Sequence, residues 1–216
     1  MSFRVRPARA GGQGLGVLLA RSRYLFIRAN RERFAGKMVA ELRGVIDADG
    51  GSPFWDAIAG RFFGMGFKEA DAFNGAHGTQ FIADLMPKTP IYTAMLSDEA
   101  LAVMRRPHPS GEAAMRMLER EGFINDGYVD IFDGGPTMSV PTDQIRALRE
   151  ARELTLAGTD EAEGGEKMLL ARGRLEDFVS GFGRVRSGND GTAILDPASA
   201  AVLGLEPGDA FLAVGR

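Results

Sequence analysis

Two neighbouring blocks decide the fold of this chain: Leu118-Glu-Arg-Glu-Gly-Phe123 and Tyr128-Val-Asp-Ile-Phe-Asp-Gly-Gly-Pro136. The first block ends a helix predicted over Ser110 to Glu121, because Gly122 suits the left-handed position after a helix and Phe123 can pack back on it. Tyr128 to Phe132 predicts a strand, which the turn residues Asp133 to Pro136 end. This part of the chain therefore combines a helix with a strand.

The same patterns predict one more strand and several helices elsewhere in the N-terminal part. Lys37 to Arg43 alternates partly between apolar and polar residues between two glycines, which predicts a buried strand, although its composition also suits a helix. Ser52 is a suitable N-cap with Pro53 at the first helical position, which predicts a helix to about Phe63. Shorter helices are predicted over Thr79 to Leu85, Ser97 to Met104 and Thr142 to Glu150.

The pattern of residues changes from about Glu153 onward, where short strand candidates alternate with stretches rich in Gly, Asp and Glu. Strands are predicted over 152–156, 167–171, 192–195 and 210–214, with a short alanine-rich helix ending at Leu203. We therefore expect an α+β chain of two domains. Residues 1–150 would form a mixed sheet with flanking helices, and residues 151–216 a small β-rich, barrel-like domain.

The bulk composition excludes several classes of function. The chain has 216 residues, 44% of them apolar, which is enough for a buried core. A formal net charge of −3 and a sequence pI near 5.5 give no electrostatic attraction for nucleic acid or an anionic membrane surface. The lack of cysteine excludes disulfides, thiolate metal sites and a cysteine nucleophile. We expect a cytoplasmic protein that binds neither nucleic acid nor membrane.

A glycine-rich loop, Arg9-Ala-Gly-Gly-Gln-Gly-Leu-Gly16, lies between a short predicted strand and a predicted helix. Unpaired amides at a helix start favour a bound phosphate, and a flexible turn is the alternative. The loop lacks the closing Lys-Ser/Thr of a P-loop and the third glycine of a dinucleotide fingerprint. The remaining pattern resembles the coenzyme A pyrophosphate loop of the acyl-CoA N-acyltransferase (GNAT) superfamily. Arg9, Gly12 and Gly14 match it, and a second register uses Gly14 and Gly16.

Further blocks carry a more specific resemblance. In addition to the two quoted first, they are Met38-Val-Ala-Glu-Leu-Arg-Gly44, Ser52-Pro-Phe-Trp55, Arg61-Phe-Phe-Gly-Met65, Gln80-Phe-Ile-Ala-Asp-Leu-Met-Pro87, Pro90-Ile-Tyr92 and His108-Pro109. Their order and spacing over roughly residues 15–150 resemble the arginine N-succinyltransferase family.

The resemblance implies a GNAT-like acyltransferase fold and transfer of succinyl from succinyl-CoA to the α-amine of L-arginine, the first step of arginine catabolism by the succinyltransferase pathway. Succinyl-CoA is then a co-substrate, and no tightly bound cofactor is expected. Some members of the family also act on ornithine, and some form hetero-oligomers of two related subunits. We accordingly expect a homo- or hetero-oligomer.

The start of the chain departs from the superfamily pattern. Strands and helices normally precede the pyrophosphate loop, whereas here only residues 1–8 do so. At usual element lengths the missing part would comprise roughly 60 residues. We therefore expect an N-terminally truncated fold, explained by a misplaced start codon, a truncated gene or a partner chain. Two alternatives follow: a non-catalytic fragment or subunit that needs a partner, and an acyltransferase with ornithine or another amine as acceptor.

The proposed reaction needs a neutral amine, stabilisation of an oxyanion and a proton for the departing thiolate. The two histidines of the chain, His77 and His108, are the natural proton-transfer candidates, although each is also typical of a surface histidine. The match of His108-Pro109 to the catalytic histidine of the family implies that His108 is the proton donor. His77 lies in a glycine-rich bend and gains no such support.

The remaining candidate residues concern the substrates. Succinyl-CoA is expected to bind at three places. The amides of Gly12, Gly14 and Gly16 and the side chain of Arg9 would contact the phosphates, and the backbone of Phe3 to Val5 would contact the pantetheine. Arg43 is a candidate for the succinyl carboxylate, and a solvated strand end is its alternative. For the acceptor guanidinium the candidate carboxylates are Glu41, Asp84 and Asp130, without a ranking.

Two further groups of residues are predicted to be structural. Aromatic and methionine side chains are more typical of a core than of a cofactor site; they are Trp55, Phe62, Phe63, Met65 and Phe67. No metal site is expected, because neither His77 nor His108 has a second ligand at helical spacing.

Overall fold

The chain forms both helices and strands in a computed structural model, which describes residues 15–216. The helices are α1 (Leu15–Ala29), α2 (Pro53–Ala57), α3 (Ala59–Phe63), α4 (Phe67–His77), α5 (Gln80–Leu85), α6 (Asp98–Val103), α7 (Glu112–Arg120), α8 (Arg146–Glu150) and α9 (Pro197–Leu203). The strands are β1 (Lys37–Glu41), β2 (Ile124–Val129), β3 (Pro136–Pro141), β4 (Arg152–Thr159), β5 (Glu166–Arg172), β6 (Val179–Ser187), β7 (Thr192–Leu195) and β8 (Ala210–Gly215). Short 3₁₀ helices lie at Arg31–Arg33, Thr93–Met95, Pro109–Gly111, Thr142–Gln144 and Leu175–Asp177. The predicted α+β class is confirmed.

The described residues divide into two units. Gly36–Ile145 holds a three-stranded sheet with helices α2 to α7, and residues 15–35 with 146–216 hold a closed barrel with helices α1, α8 and α9. Helix α1 therefore belongs to the unit of the barrel. The domain assignment 1–150 and 151–216 stays a prediction.

The sheet is antiparallel, with β3 between β1 and β2. Strand β1 confirms the strand predicted from Lys37, although it ends at Glu41 rather than at Arg43. Strand β3 was not predicted, because prolines stand at both of its ends and indicate turns or sheet edges. Its side chains Met138 and Val140 are nevertheless buried, so β3 is the centre of this sheet.

Strand β2 lies earlier in the chain than predicted. A strand over Tyr128 to Phe132 was wrong for most of its length, since β2 begins at Ile124 and ends at Val129. Its register with β3 shifts between Asn125 and Val129, where Gly127 has φ +100° and donates a hydrogen bond from its amide to the Asn125 side chain at 2.9 Å. Turn-forming residues inside a bulged strand concealed it.

The turn between β2 and β3 is fixed by the buried side chain of Asp133. Its Oδ2 accepts a hydrogen bond from the Gly44 amide at 2.8 Å, and its Oδ1 accepts one from the Gly135 amide at 2.9 Å. A Cβ on Gly44 would lie 2.7 Å from the Gly135 nitrogen, so no side chain fits there. Asp130 closes the same turn by accepting a hydrogen bond from the Phe132 amide at 2.7 Å. Asp133 thus joins this turn to the segment that follows β1.

A stack of aromatic rings forms a core beneath α2 and α3. Trp55 is fully buried between Phe63 and Phe132, with ring centroids 5.5 and 5.1 Å away and nearly parallel planes. Its indole N–H donates a hydrogen bond to the Met65 carbonyl at 2.9 Å, which satisfies its polar atom. The expected core role is confirmed for Trp55, whereas for Phe62, half of whose surface is exposed, it was wrong.

Helix ends in this unit follow their capping residues. The Ser52 hydroxyl accepts a hydrogen bond from the Trp55 amide at 3.1 Å, Ser97 caps α6 in the same way, and Gly122 has φ +96° just beyond α7. The helix predicted from Pro53 to Phe63 is interrupted at Ile58, which has φ −120° and ψ −89°. Within residues 15–216, no helix has both the length and the apolar composition needed to cross a membrane.

Five strands close a barrel in the order β4-β7-β6-β5-β8, which confirms a β-rich C-terminal part. Strands β4 and β7 are parallel, and the other pairs are antiparallel. Alternate residues of β5 face two cores: Leu170 belongs to the barrel interior, whereas Leu169 packs in a second cluster with Leu25 of α1. Phe26 of α1 meets Phe178 edge-on at 5.1 Å. Helix α1 therefore covers the outside of β5.

Strand β6 was not predicted, because glycines within a strand weaken its pattern. One of them is required by packing: a Cβ on Gly183 would lie 2.6 Å from Leu170 Cδ1 and 2.7 Å from Ser199 Oγ. At Gly181, two residues earlier on the same strand, the nearest atom is Val202 Cγ1 at 3.9 Å. The two glycines differ in how closely α9 and β5 approach them.

This difference gives a matched test of the barrel packing. Gly183→Ala is expected to lower the free energy of unfolding by about 1–3 kcal/mol, because the added methyl overlaps Leu170 and Ser199. Gly181→Ala has room for the methyl and is expected to change it by less than about 0.5 kcal/mol. Urea denaturation with hydrogen exchange at the barrel strands measures both, and equal effects would refute the packing argument.

A second test concerns the Asp133 turn. Asp133→Ala leaves the buried amides of Gly44 and Gly135 without acceptors, at about 1–3 kcal/mol each, and is expected to lower the free energy of unfolding by about 2–6 kcal/mol. Asp71→Ala removes an exposed carboxylate within α4 and is expected to change it by less than about 0.5 kcal/mol. Hydrogen exchange at residues 36–145 reports both; unchanged protection in Asp133→Ala would contradict the assigned role.

Candidate active site

The segment Arg105 to His108 is fixed at both of its ends by backbone hydrogen bonds. The Arg105 amide donates to the Gly134 carbonyl at 2.8 Å, and the His108 amide donates to the Arg43 carbonyl at 2.7 Å. Pro107 forms an isolated antiparallel bridge with Gly44 between these points. The Asp133 turn and the segment after β1 therefore hold these four residues in place together.

The side chain of His108 has one defined ring contact. Its Nδ1 accepts a hydrogen bond from the Ser110 amide at 3.2 Å and lies 2.8 Å from the Ser110 hydroxyl. A backbone N–H can only donate, so the neutral ring carries its proton on Nε2. Nε2 has no hydrogen-bond partner among residues 15–216, and the side chain is half-buried. The ring is thus oriented as a donor through Nε2.

A cleft of about 400 Å³ lies within the unit of the three-stranded sheet. Its walls come from the start of α2, the loop after α5, the end of α6 and strand β2, and they are mainly apolar: Phe54, Ile58, Met86, Leu96, Val129 and Ile131. This volume falls in the range of small-molecule sites, about 300–1,000 Å³. The cleft therefore has the size and the lining of a binding site.

Among the described residues that line this cleft, Arg105 contributes the one ionisable side chain. It lies three positions before His108, on the same fixed segment. Sequence reasoning missed Arg105, because the cleft forms from segments far apart in the chain. Its proximity to His108 in sequence is the signal that points to it.

The two residues predicted at the end of β1 lie near this segment. The Arg43 carbonyl accepts the hydrogen bond from His108, while its side chain is exposed. Glu41 is the last residue of β1, opposite Thr137, and is also exposed. Neither residue lines the cleft. Arg43 contacts His108 through its backbone carbonyl. The roles of both side chains toward substrate stay predictions.

The other carboxylates considered for the acceptor have local partners. Asp130 accepts a hydrogen bond within its own turn, as described above. Asp84 is exposed and accepts a hydrogen bond from Gln80 one turn earlier in α5 at 2.9 Å. The hydrogen bond within the turn gives Asp130 a structural contact that explains its presence there.

Most of the predicted coenzyme A site lies outside the described residues, namely Phe3, Val5, Arg9, Gly12 and Gly14. Gly16 is the second residue of α1 and is exposed. The amides of a first helical turn lack partners within the helix, so this position is compatible with the predicted anion site. Its role stays a prediction.

His77 does not lie in a bend, as expected from the surrounding glycines, but is the last residue of α4. Its Nδ1 is 3.1 Å from the Phe73 carbonyl, and its ring stacks on that of Phe73 with centroids 4.2 Å apart. Both contacts are local to the helix end. Across residues 15–216, no cluster of three or more His, Cys, Asp or Glu is placed to hold a metal ion.

Comparisons with known proteins cover both units. The profile of a family described as arginine N-succinyltransferase beta subunit matches residues 2–147, and that of its C-terminal domain matches residues 152–215. The chain is 43% identical over 199 residues to arginine N-succinyltransferase subunit beta of Pseudomonas aeruginosa, covering 92% of this chain and 58% of the relative. It is 50% identical over 152 residues to arginine N-succinyltransferase of an Enterobacter species, covering 70% and 44%.

A solved structure shows the same fold. Subunit AI of an arginine/ornithine succinyltransferase from Pseudomonas aeruginosa superposes with a TM-score of 0.80 at 32% identity, covering 93% of this chain and 57% of that one. The chain thus spans about half the length of the relatives that it matches. The resemblance predicted from the sequence blocks is confirmed: the chain belongs to the arginine N-succinyltransferase family.

Proposed function

We propose that this chain carries out, alone or as a subunit, the transfer of succinyl from succinyl-CoA to the α-amine of L-arginine. Membership of the family and the names of its relatives support this assignment. Because the chain spans 44% to 58% of those curated relatives, the activity of the whole enzyme is carried over as a proposal.

One observation within the chain carries the proposal. His108, the proton donor implied by the family, sits on a segment held by two backbone hydrogen bonds, and that segment also lines an apolar cleft through Arg105. Its Nδ1 is used by Ser110, which leaves the Nε2 proton available to a substrate. A fixed position, and an Nε2 without a partner among the described residues, are compatible with proton donation to a bound substrate.

The chemistry follows from these groups. The neutral α-amine attacks the thioester carbonyl, forming a C–N bond and a tetrahedral oxyanion. Collapse of that intermediate breaks the C–S bond, and the departing thiolate takes the Nε2 proton from the imidazolium form of His108, in which Nδ1–H donates to the Ser110 hydroxyl, so that a neutral ring remains. The nitrogen loses a proton to complete the amide, and an equivalent proton restores His108. No acyl-enzyme is needed, which agrees with the lack of cysteine in the chain.

The same proposal includes the finer features of the fold and its location. We place the sheet β1-β3-β2 in a GNAT-like acyltransferase domain spanning residues 1–150, with the loop Arg9 to Gly16 as the pyrophosphate site. Residues 151–216 form the barrel domain. The cysteine-free sequence supports a reducing cytoplasm as the place of the reaction.

A second candidate function is that of a subunit that is inactive without a partner chain. Val39 and Ile124 both lie opposite Ser139 and therefore on one face of the sheet, and they are 54% and 63% exposed. Exposed apolar side chains at both edges of a sheet favour contact with another protein. Two relatives are named as subunits, which points to a related subunit as the partner.

The two histidines provide a matched test of catalysis. His108→Ala is expected to lower kcat for CoA release by about 10²- to 10⁴-fold, because a positioned general acid contributes that much. Binding of succinyl-CoA, followed by calorimetry, should change little. His77→Ala removes a ring that contacts only its own helix end among the described residues, and wild-type kcat is expected.

The outcomes separate the candidates. Full activity of His108→Ala would refute its role as proton donor. CoA release only after addition of a related subunit would favour the second candidate, and mass photometry of the same mixtures reports whether a complex forms. Competition between L-arginine and L-ornithine in this assay decides which amine is the preferred acceptor.

A further inference from the structure

The backbone of Arg105 adopts an unusual conformation beside the cleft. Its φ is +66°, a left-handed value that residues other than glycine rarely adopt and that costs about 1–3 kcal/mol. The hydrogen bond from its amide to the Gly134 carbonyl holds it there. A Cβ built on Gly127 would lie 3.9 Å from Arg105 Nη2, so the guanidinium extends along the bulge of β2, another wall of the cleft.

The guanidinium of Arg105 has no hydrogen bond or ion pair with any described residue. Three other exposed arginines do have partners: Arg174 pairs with Glu32, Arg186 pairs with Asp160, and Arg106 donates to the Ala102 carbonyl at 3.5 Å. Arg105 therefore combines a strained, hydrogen-bonded backbone with a guanidinium whose donors are not used by any described residue, at the edge of an apolar cleft.

The lining of the cleft limits what it can bind. Methylene groups can contact the side chains of Phe54, Ile58 and Ile131, and a carboxylate can pair with Arg105 in a bidentate way. No acidic residue from the part of the chain that the structure describes lines the cleft, so the guanidinium of an arginine substrate would find no counter-ion among these residues and would be repelled by Arg105. A short aliphatic acyl group with a terminal carboxylate fits both properties.

We propose that Arg105 binds the terminal carboxylate of the succinyl group within this cleft and so selects succinyl-CoA over acyl-CoAs without that carboxylate. This inference rests on the proposed function and replaces Arg43, the earlier candidate for this contact. Arg105 and His108 are separated by three peptide units, at most about 10 Å along the chain. One segment therefore presents the cation for the tail of the acyl group and the proton donor for its thioester end.

The test compares two acyl donors of equal chain length, succinyl-CoA and butyryl-CoA, on the full chain. Arg105→Gln is expected to lower kcat/KM, or affinity measured by calorimetry, about 10- to 100-fold for succinyl-CoA and less than about 3-fold for butyryl-CoA. KM for L-arginine should stay unchanged. Arg105→Lys keeps the charge without the bidentate guanidinium, so its kcat/KM for succinyl-CoA is expected to lie between those of the wild type and Arg105→Gln.

Two further variants separate binding from folding. Arg105→Gly suits the left-handed backbone, so it should be at least as stable as the wild type while losing selectivity for succinyl-CoA. Arg106→Gln removes the neighbouring arginine, which does not line the cleft, and should retain the selectivity. Loss of selectivity in a stable Arg105→Gly protein would show that the effect is one of recognition.

Three results would overturn the inference. Equal losses for both acyl donors in Arg105→Gln would indicate a structural role. A raised KM for L-arginine with unchanged succinyl-CoA kinetics would make the cleft the acceptor site. If calorimetry shows no binding of either acyl-CoA to the wild-type chain, alone or mixed with a related subunit, the proposed function fails, and this inference fails with it.

Discussion

The candidate site depends on one buried carboxylate, that of Asp133. A carboxylate away from water needs hydrogen-bond donors on both oxygens, and the amides of Gly44 and Gly135 provide them. The contact joins the segment after β1 to the turn between β2 and β3. Gly134 in that turn then receives the Arg105 amide, and Arg43, next to Gly44, receives the His108 amide. Two residues placed at the candidate site are thus positioned by a side chain that touches neither.

The parts of the fold that the sequence predicts are those fixed by local contacts. The Ser52 cap, the Gly122 helix end and the strand from Lys37 each depend on residues within a few positions, and all three were confirmed. Strands β2, β3 and β6 depend on pairing with distant segments, which override local turn residues such as those around Gly127. Their prolines and glycines are compatible with strands only in this tertiary setting.

The residues of the candidate site also differ in whether the sequence could predict their roles. His108 was identified from a family block, and its contact with Ser110 is local to the turn after it. Asp130 illustrates the opposite case, because a carboxylate of a family block was a candidate for the acceptor, yet its hydrogen bond to the Phe132 amide gives it a structural role. Arg105 belongs to no motif, and its position three residues before His108 is the signal that points to it. Its conformation follows from Gly134, and its neighbours in the cleft come from α2, the loop after α5, the residues on either side of α6, and β2.

The exposure of Arg105 determines what kind of selectivity the cleft can have. In a site whose polar group is buried, a substrate that leaves this group without a partner is discriminated against in kcat/KM by a factor of about 10⁴ or more. Arg105 remains solvated when the cleft is empty, so a donor such as butyryl-CoA leaves no buried charge unpaired. Discrimination must then arise from the attraction gained with succinyl, which is smaller. The apolar walls accept both acyl chains, and the cation distinguishes their ends. On the proposed assignment, the same charge repels the guanidinium of the acceptor, so we expect the acceptor to reach the thioester from outside this cleft.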